Sequence, residues 1–304
     1  MEVHQLVVRY GSREPVLAVD RLSFSAEAGT VCALLGPNGA GKSSTIETLE
    51  GYRSPTEGRV RVLGLEPIAQ HRALVPRIGV MLQRGGIYPG IRVHEAARVF
   101  CAYYSNRRRP SELLDLVGLA DRAKSTWKQL SGGEQQRLSL ALALAGDPEV
   151  AFLDEPTASV DVSGRQVVRH VIRDLRDRGC CVMLTTHELE EAERLADHVL
   201  IIDRGHLVAA GTPSELMRSG GGDRIRFGAP PALDVAALGA AVGAVVLESS
   251  PGDYEVQRAA TPQAVAAVTA WLAEHDLPIA DLRAGRESLE DVFLRLTARG
   301  DDAS

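Results

Sequence analysis

The segment Gly36-Pro37-Asn38-Gly39-Ala40-Gly41-Lys42-Ser43 sets glycines around a turn that ends in a lysine and a hydroxyl. Glycines let successive backbone N–H groups turn toward an anion without Cβ interference, and a helix starting at the lysine points its positive end at the same place. The turn follows an apolar strand and precedes a helical stretch, the setting in which such a loop cradles a triphosphate. Lys42 is then expected to reach the β- and γ-phosphates. Ser43 is expected to ligate Mg²⁺ through its hydroxyl, with water and phosphate oxygens completing the octahedron. A second apolar run, residues 150–153, ends in Asp154-Glu155. Acids at the end of a buried strand are costly unless paired or metal-bound, and a phosphate loop elsewhere in the chain supplies the reason for them. Asp154 is expected to hold Mg²⁺ directly or through water, and Glu155 to polarise the water that attacks the γ-phosphate.

Phosphate loops of this kind also serve kinases, GTPases and helicases, so the decisive segment is Leu130-Ser131-Gly132-Gly133-Glu134-Gln135-Gln136-Arg137. Ser131 with Glu134 three residues later spells a capping box, opening a helix that runs through Leu140, Leu142 and Leu144. A helix N-terminus preceded by two glycines is also an anion site. Since the loop at Gly36 already serves this chain's own nucleotide, the second site suits a different one. Both readings can hold together.

With these segments in this order, residues 1–218 resemble the ATP-binding cassette family, whose signature is the segment at Leu130. The resemblance implies an ATPase that binds ATP and Mg²⁺. It adds Ser44 and the whole loop from Gly36 to the ATP contacts, makes Tyr10 similar to the adenine-stacking aromatic, and makes Gln83 similar to the Mg²⁺-sensing glutamine. Asp161, in Ala158-Ser159-Val160-Asp161, falls in the loop through which paired cassettes communicate, although Val162 stands where the family often has proline. His187, after Thr185-Thr186, resembles the histidine that contacts the γ-phosphate. In this family two cassettes sandwich two ATP molecules head-to-tail, so Ser131, Gly132, Gly133 and Glu134 are expected to meet ATP held by a partner cassette. A homodimer is the simplest arrangement.

The positioning elements can be read from hydropathy patterning. Residues 31–35, 150–153, 181–185 and 199–202 lack polar alternation, as strands covered on both faces do. Residues 3–8 and 60–62 alternate, suggesting an antiparallel layer with one exposed side. Residues 84–135 turn mainly helical and form a candidate subdomain; there Ile87, Tyr88, Val99, Phe100, Tyr103 and Tyr104 make either a subdomain core or a groove for a partner's helix. The fold class expected is α/β: a phosphate-loop cassette with a core sheet, an antiparallel layer and a helical subdomain, followed by a small C-terminal α+β domain. Ser219-Gly220-Gly221-Gly222 marks the boundary, giving a nucleotide-binding domain over 1–218, a linker over 219–223 and an accessory domain over 224–304. Strands are expected near 224–227, 245–247 and 254–257, and helices over 261–276 and 288–298. The last segment, Glu287-Ser288-Leu289-Glu290-Asp291-Val292-Phe293-Leu294-Arg295-Leu296-Thr297, resembles the tail of bacterial drug- and antibiotic-exporter ATPases; in itself it is an amphipathic helix.

The whole chain limits the remaining classes. Its 304 residues, 45% of them hydrophobic, suffice for one large domain and a small one. A net charge of -6 and a pI near 5.8 give no general attraction to nucleic acid. The basic run 107–109 is a solvated loop or a partner contact. The longest uncharged apolar stretch, residues 235–247, falls short of the ~20 residues that cross a bilayer. The N-terminus lacks the basic start and apolar run of a signal peptide. Cys32, Cys101, Cys180 and Cys181 have no metal-ligand spacing and read as reduced core thiols. A chain peripheral to the inner face of the plasma membrane, in the cytoplasm, driving a separate transmembrane permease for drug-like or lipophilic compounds, is the function the resemblance implies. A cassette ATPase not coupled to transport is the rival, and an importer ATPase the nearer alternative. One phosphate loop and no sustained heptads argue against the translation and repair types.

Overall fold

The structure, a computed structural model, describes all residues except 12–14, 83–85, 106–107, 220–223, 286 and 299–304. The chain divides into two compact units, one spanning Met1–Pro213 together with the described residues from Leu296 on, the other Ser214–Arg295. The division comes before the boundary expected at 219, and Ser219 itself ends a helix that starts at Pro213. The rest of the expected linker lies outside the described residues.

In the first unit β1 (Glu2–Tyr10) and β2 (Val16–Ser25) pair antiparallel. Then β3 (Val31–Leu35) leads through the glycine-rich turn into α1 (Lys42–Glu50). The chain returns to the first sheet as β4 (Glu57–Arg61), completing the order β2-β1-β4. After α2 (His71–Leu74) and β5 (Ile78–Met81) come the helices α3 (Val93–Ala102), α4 (Pro110–Leu116) and α5 (Gly132–Ala143). Strands and helices alternate thereafter: β6 (Val150–Asp154), α6 (Val162–Asp177), β7 (Cys181–Thr185), α7 (Leu189–Leu195), β8 (His198–Asp203) and β9 (His206–Gly211).

The central sheet has the order β5-β6-β7-β3-β8-β9, parallel except for β9. Every residue of β3 and β7 is buried, the consequence of covering both faces and the reason these strands show no alternation. The register sets Asp154 against Thr185 and Leu34 against Thr185's own position on the other side. The carboxyl ends of β3, β6 and β7 therefore lie side by side, where open α/β sheets take their ligands. The antiparallel layer shares its core with this sheet through Leu6, Val8, Leu22 and Val60 packed with Leu34, Phe152 and Met183. All four cysteines are buried; burial pushes the Cys32 and Cys180 thiols up to about 12.

The helix α8 (Pro213–Ser219) leads to the second unit's antiparallel sheet, of order β11-β12-β10-β13. The unit contains β10 (Arg224–Gly228), α9 (Val235–Val242), β11 (Val246–Ser250), β12 (Asp253–Val256), α10 (Pro262–Glu274) and β13 (Ala280–Gly285), followed by α11 (Leu289–Ala298), which belongs to it as far as Arg295. Ile225, Phe227 and Tyr254 from the strands pack with Leu238, Val268 and Leu272 from the helices. Thr261 caps α10, accepting from Ala264 N at 3.2 Å, with Pro262 in the first turn where its missing N–H costs nothing. The apolar stretch 235–247 is divided by Gly243, whose φ of 64° ends α9 and lets β11 begin.

Candidate functional site

The turn from β3 into α1 packs tightly against its surroundings. Gly41 has φ 101°, and a Cβ there would lie 2.4 Å from the Ala18 carbonyl oxygen, so no other residue fits. A Cβ on Gly39 would meet nothing within 4 Å, which leaves the crest of the loop open. Lys42 Nζ donates to the carbonyl oxygens of Gly36 at 2.5 Å and Pro37 at 3.0 Å. Burial lowers its pKa, opposed by the nearby charges of Glu155 and Asp154. Ser43 is exposed at the start of α1; Asn38 is exposed and Ala40 buried beneath it.

Both acids sit where the strand register puts them. Asp154 Oδ1 accepts a short hydrogen bond from Thr185 Oγ1, and Glu155 N donates to the Thr185 carbonyl at 3.1 Å. Glu155 has φ 51°, an unusual region for a non-glycine residue. Its side chain is buried at 7% exposure and faces His187, with Nδ1 2.9 Å from Oε1 and the backbone N 3.4 Å from Oε2. Gln136 Nε2, from α5, donates to the Glu155 carbonyl at 2.6 Å. Gln136 and Thr185 hold the acids; both fall inside segments the sequence singles out, but a glutamine one turn inside a helix gives no signal that its partner is Glu155.

Tyr10 shares a 2.8 Å hydrogen bond through its hydroxyl with Ser44 Oγ, and the Arg53 guanidinium lies 4.1 Å from its ring centroid. Arg53 in turn pairs with Glu47 at 2.8 Å. The ring is thus fixed beside α1, next to the loop it was expected to serve. Gln83 lies outside the described residues. Among the described residues no cluster of three or more His, Cys, Asp or Glu could hold a metal alone. One carboxylate, Asp154, and one hydroxyl, Ser43, flanking a loop for phosphate are the donor set for an ion that the phosphate itself helps to hold, and this fits Mg²⁺.

Residues 19–158 match the ABC transporter family. A daunorubicin resistance ATP-binding protein of Streptomyces coeruleorubidus is 36% identical over 97% of this chain and 94% of its own length. A Nod factor export ATP-binding protein of Ralstonia nicotianae is 36% identical over 98% and 94% respectively. The chain belongs to the ABC transporter family. It is the ATP-binding and ATP-hydrolysing subunit of an ABC exporter. A solved ATP-binding subunit of an ABC transporter shares the fold at TM-score 0.66 and 26% identity, covering 72% of this chain and 92% of that one.

In this cassette the signature forms the capping box that its spacing predicts. Glu134 N donates to Ser131 Oγ at 3.2 Å and Ser131 N to Glu134 Oε2 at 2.8 Å. Arg122 pairs with Glu134 at 3.0 Å. Ser131 and Gly132 are exposed, and Asp161, also exposed, caps α6 by accepting from Gly164 N at 2.8 Å. Of the helical region's apolar cluster, Tyr88 and Tyr103 are 76% and 78% exposed and Val99 is exposed, while Tyr104 packs over Gly146. The cluster is a surface more than a core.

In the second unit, the exporter-like tail is held by charge as well as by Leu289 and Val292, which are buried. Arg226 on β10 forms a short ion pair with Asp291 and lies 3.2 Å from Glu255 and 3.9 Å from Glu287. Arg295 reaches the buried Glu287 at 3.3 Å.

Proposed function

We propose that Lys42, Asp154, Glu155 and His187 form the hydrolytic centre of this ABC ATPase. The observation that carries the reading is their convergence at the carboxyl ends of β3, β6 and β7. The loop Gly36-Pro37-Asn38-Gly39-Ala40-Gly41 with Lys42, Ser43 and Ser44 cradles the phosphates, and Tyr10 stacks on adenine. Ser43 and Asp154, joined by Gln83, hold Mg²⁺, which when bound neutralises charge on the phosphate oxygens. Glu155 accepts a hydrogen bond from the attacking water, and His187 orients Glu155 while reaching toward the γ-phosphate. Lys42 exchanges its carbonyl partners for phosphate oxygens.

ABC cassettes dimerise and pair with transmembrane subunits. Here a second copy of the chain is the proposed partner, with Ser131, Gly132, Gly133 and Glu134 completing its ATP site and Asp161 facing it. The exposed Tyr88, Val99 and Tyr103 support docking of a separate transmembrane permease on residues 84–135. Among the described residues no helix is long and apolar enough to cross a membrane. The chain is then a cytoplasmic protein peripheral to the inner face of the plasma membrane, with residues 1–218 as the nucleotide-binding domain and 224–304 as an accessory domain. Relatives named for daunorubicin resistance and Nod factor export support a lipophilic, drug-like cargo.

Affinity purification of the chain from detergent-solubilised membranes tests this. The expected result is co-recovery of a permease with Mg²⁺-dependent ATPase activity that Lys42→Ala abolishes; recovery of a ribosome or DNA complex would refute the transport assignment.

A further inference from the structure

One side chain joins the interface loop to the turn that carries His187. Arg165, in the first turns of α6, donates from Nε to the Val160 carbonyl oxygen at 3.0 Å. Its guanidinium also closes on Glu188, with Nη2 2.9 Å from Oε1 and Nη1 on Oε2. Glu188 follows His187 directly, and its own N–H donates to Thr186 Oγ1 at 3.0 Å. His187 faces Glu155 from both its ring and its backbone. A forked guanidinium–carboxylate contact fixes distance and plane together, which an ammonium cannot do.

The other side of residues 158–161 is equally confined. A Cβ on Gly133 would lie 3.2 Å from both the Ser159 carbonyl oxygen and Val160 Cα, and one on Gly164 would lie 2.5 Å from Val160 Cγ1. The loop is wedged between α5 and α6, so displacement of residues 158–161 must be passed on to a neighbour, and Arg165 is the neighbour that leads to the site.

We propose that Arg165 is a positioning residue that transmits the seating of residues 158–161 against the partner cassette to His187 and Glu155, making each site's hydrolysis depend on the other cassette. This rests on the proposed roles of Asp161 and Glu155. Neither Arg165 nor Glu188 touches the reacting atoms.

Steady-state ATPase assays on the full-length chain test the link. Arg165→Ala should lower kcat by about tenfold to a hundredfold, the scale of an ångström-level misplacement. It should leave the KM for ATP within about threefold and bring a Hill coefficient above 1 in the unaltered chain down to about 1. Arg165→Lys should behave alike, because an ammonium cannot hold Val160 and both Glu188 oxygens. Glu188→Ala should match it, and the double variant should be no slower than the slower single one. Combined with Glu155→Gln, Arg165→Ala should still give an ATP-dependent dimer on gel filtration, which separates positioning from a failure to fold or dimerise. Unchanged kcat and cooperativity in Arg165→Ala, multiplicative losses in the double variant, loss of the dimer, or an unaltered chain without cooperativity would each overturn the proposal. Full hydrolysis by Glu155→Gln with Arg165 intact would instead overturn the reading of the site itself, and the proposal with it.

Discussion

His187 Nδ1 stands 2.9 Å from Glu155 Oε1, and the backbone N of the same histidine points at the other carboxylate oxygen. A buried carboxylate is thus met at one oxygen by a largely exposed imidazole and at the other by the backbone N–H of the same residue, and a glutamate so fixed can orient a water while its own position stays constant.

Replacing that carboxylate isolates its chemical role. Glu155→Gln keeps the shape and one oxygen but loses the basicity, so ATP binding should be retained while turnover falls by about 10² to 10⁴. Single-turnover hydrolysis beside a fluorescent-nucleotide titration checks this, and unchanged hydrolysis would refute the assignment.

Ser131→Arg should abolish hydrolysis while the isolated chain still binds ATP. Ser131 is exposed and bonded within its own capping box, so the arginine would project from the surface, where the proposed pairing puts the partner's nucleotide. Loss of nucleotide binding by the monomeric variant would show that the signature serves its own chain.

Glu50 ends α1 at 5% exposure, and burial, reinforced by the charges of Asp154 and Glu47, raises its pKa from 4.5 to about 8. The folded chain therefore keeps a proton that the unfolded chain releases between those two values. Its contribution to stability is fully present below pH 4.5 and declines as pH rises toward about 8. Glu50→Gln should flatten this decline, so that its Tm advantage over the unaltered chain is larger at the alkaline end of that window than at the acid end. Parallel Tm curves across the window would contradict it.

In the second unit Arg226→Ala leaves Asp291 with only its Ser288 hydrogen bonds and removes one of the cations near the buried Glu287. Removing one member of a half-buried ion network costs about 1–3 kcal/mol. The unfolding transition of Ser214–Arg295 should move down, while nucleotide affinity measured at a temperature where both units are folded stays unchanged. Differential scanning calorimetry with an ATP-binding assay reads both.

The residues legible beforehand share one property, that a strand end or a helix start announces them locally. Lys42, Asp154 and Ser131 each sit where an apolar run or a glycine pair meets a polar residue. Gln136, Thr185, Arg165 and Arg226 are silent because each acts on a residue brought near only by the sheet order. The strands β2, β5, β9 and β13 are not marked by the sequence patterning: β2 mixes buried and exposed positions, β5 is an apolar run of only four residues, β9 alternates on an edge, and β13 is exposed along nearly its whole length. The antiparallel layer is present where it was expected, although β1 buries Leu6, Val7 and Val8 in succession across register shifts, so its alternation is broken there.

Lys42 already satisfies two carbonyl oxygens of its own loop. Any incoming ligand must outbid those oxygens for the same ammonium, so nucleotide capture is a substitution and not a simple filling of space.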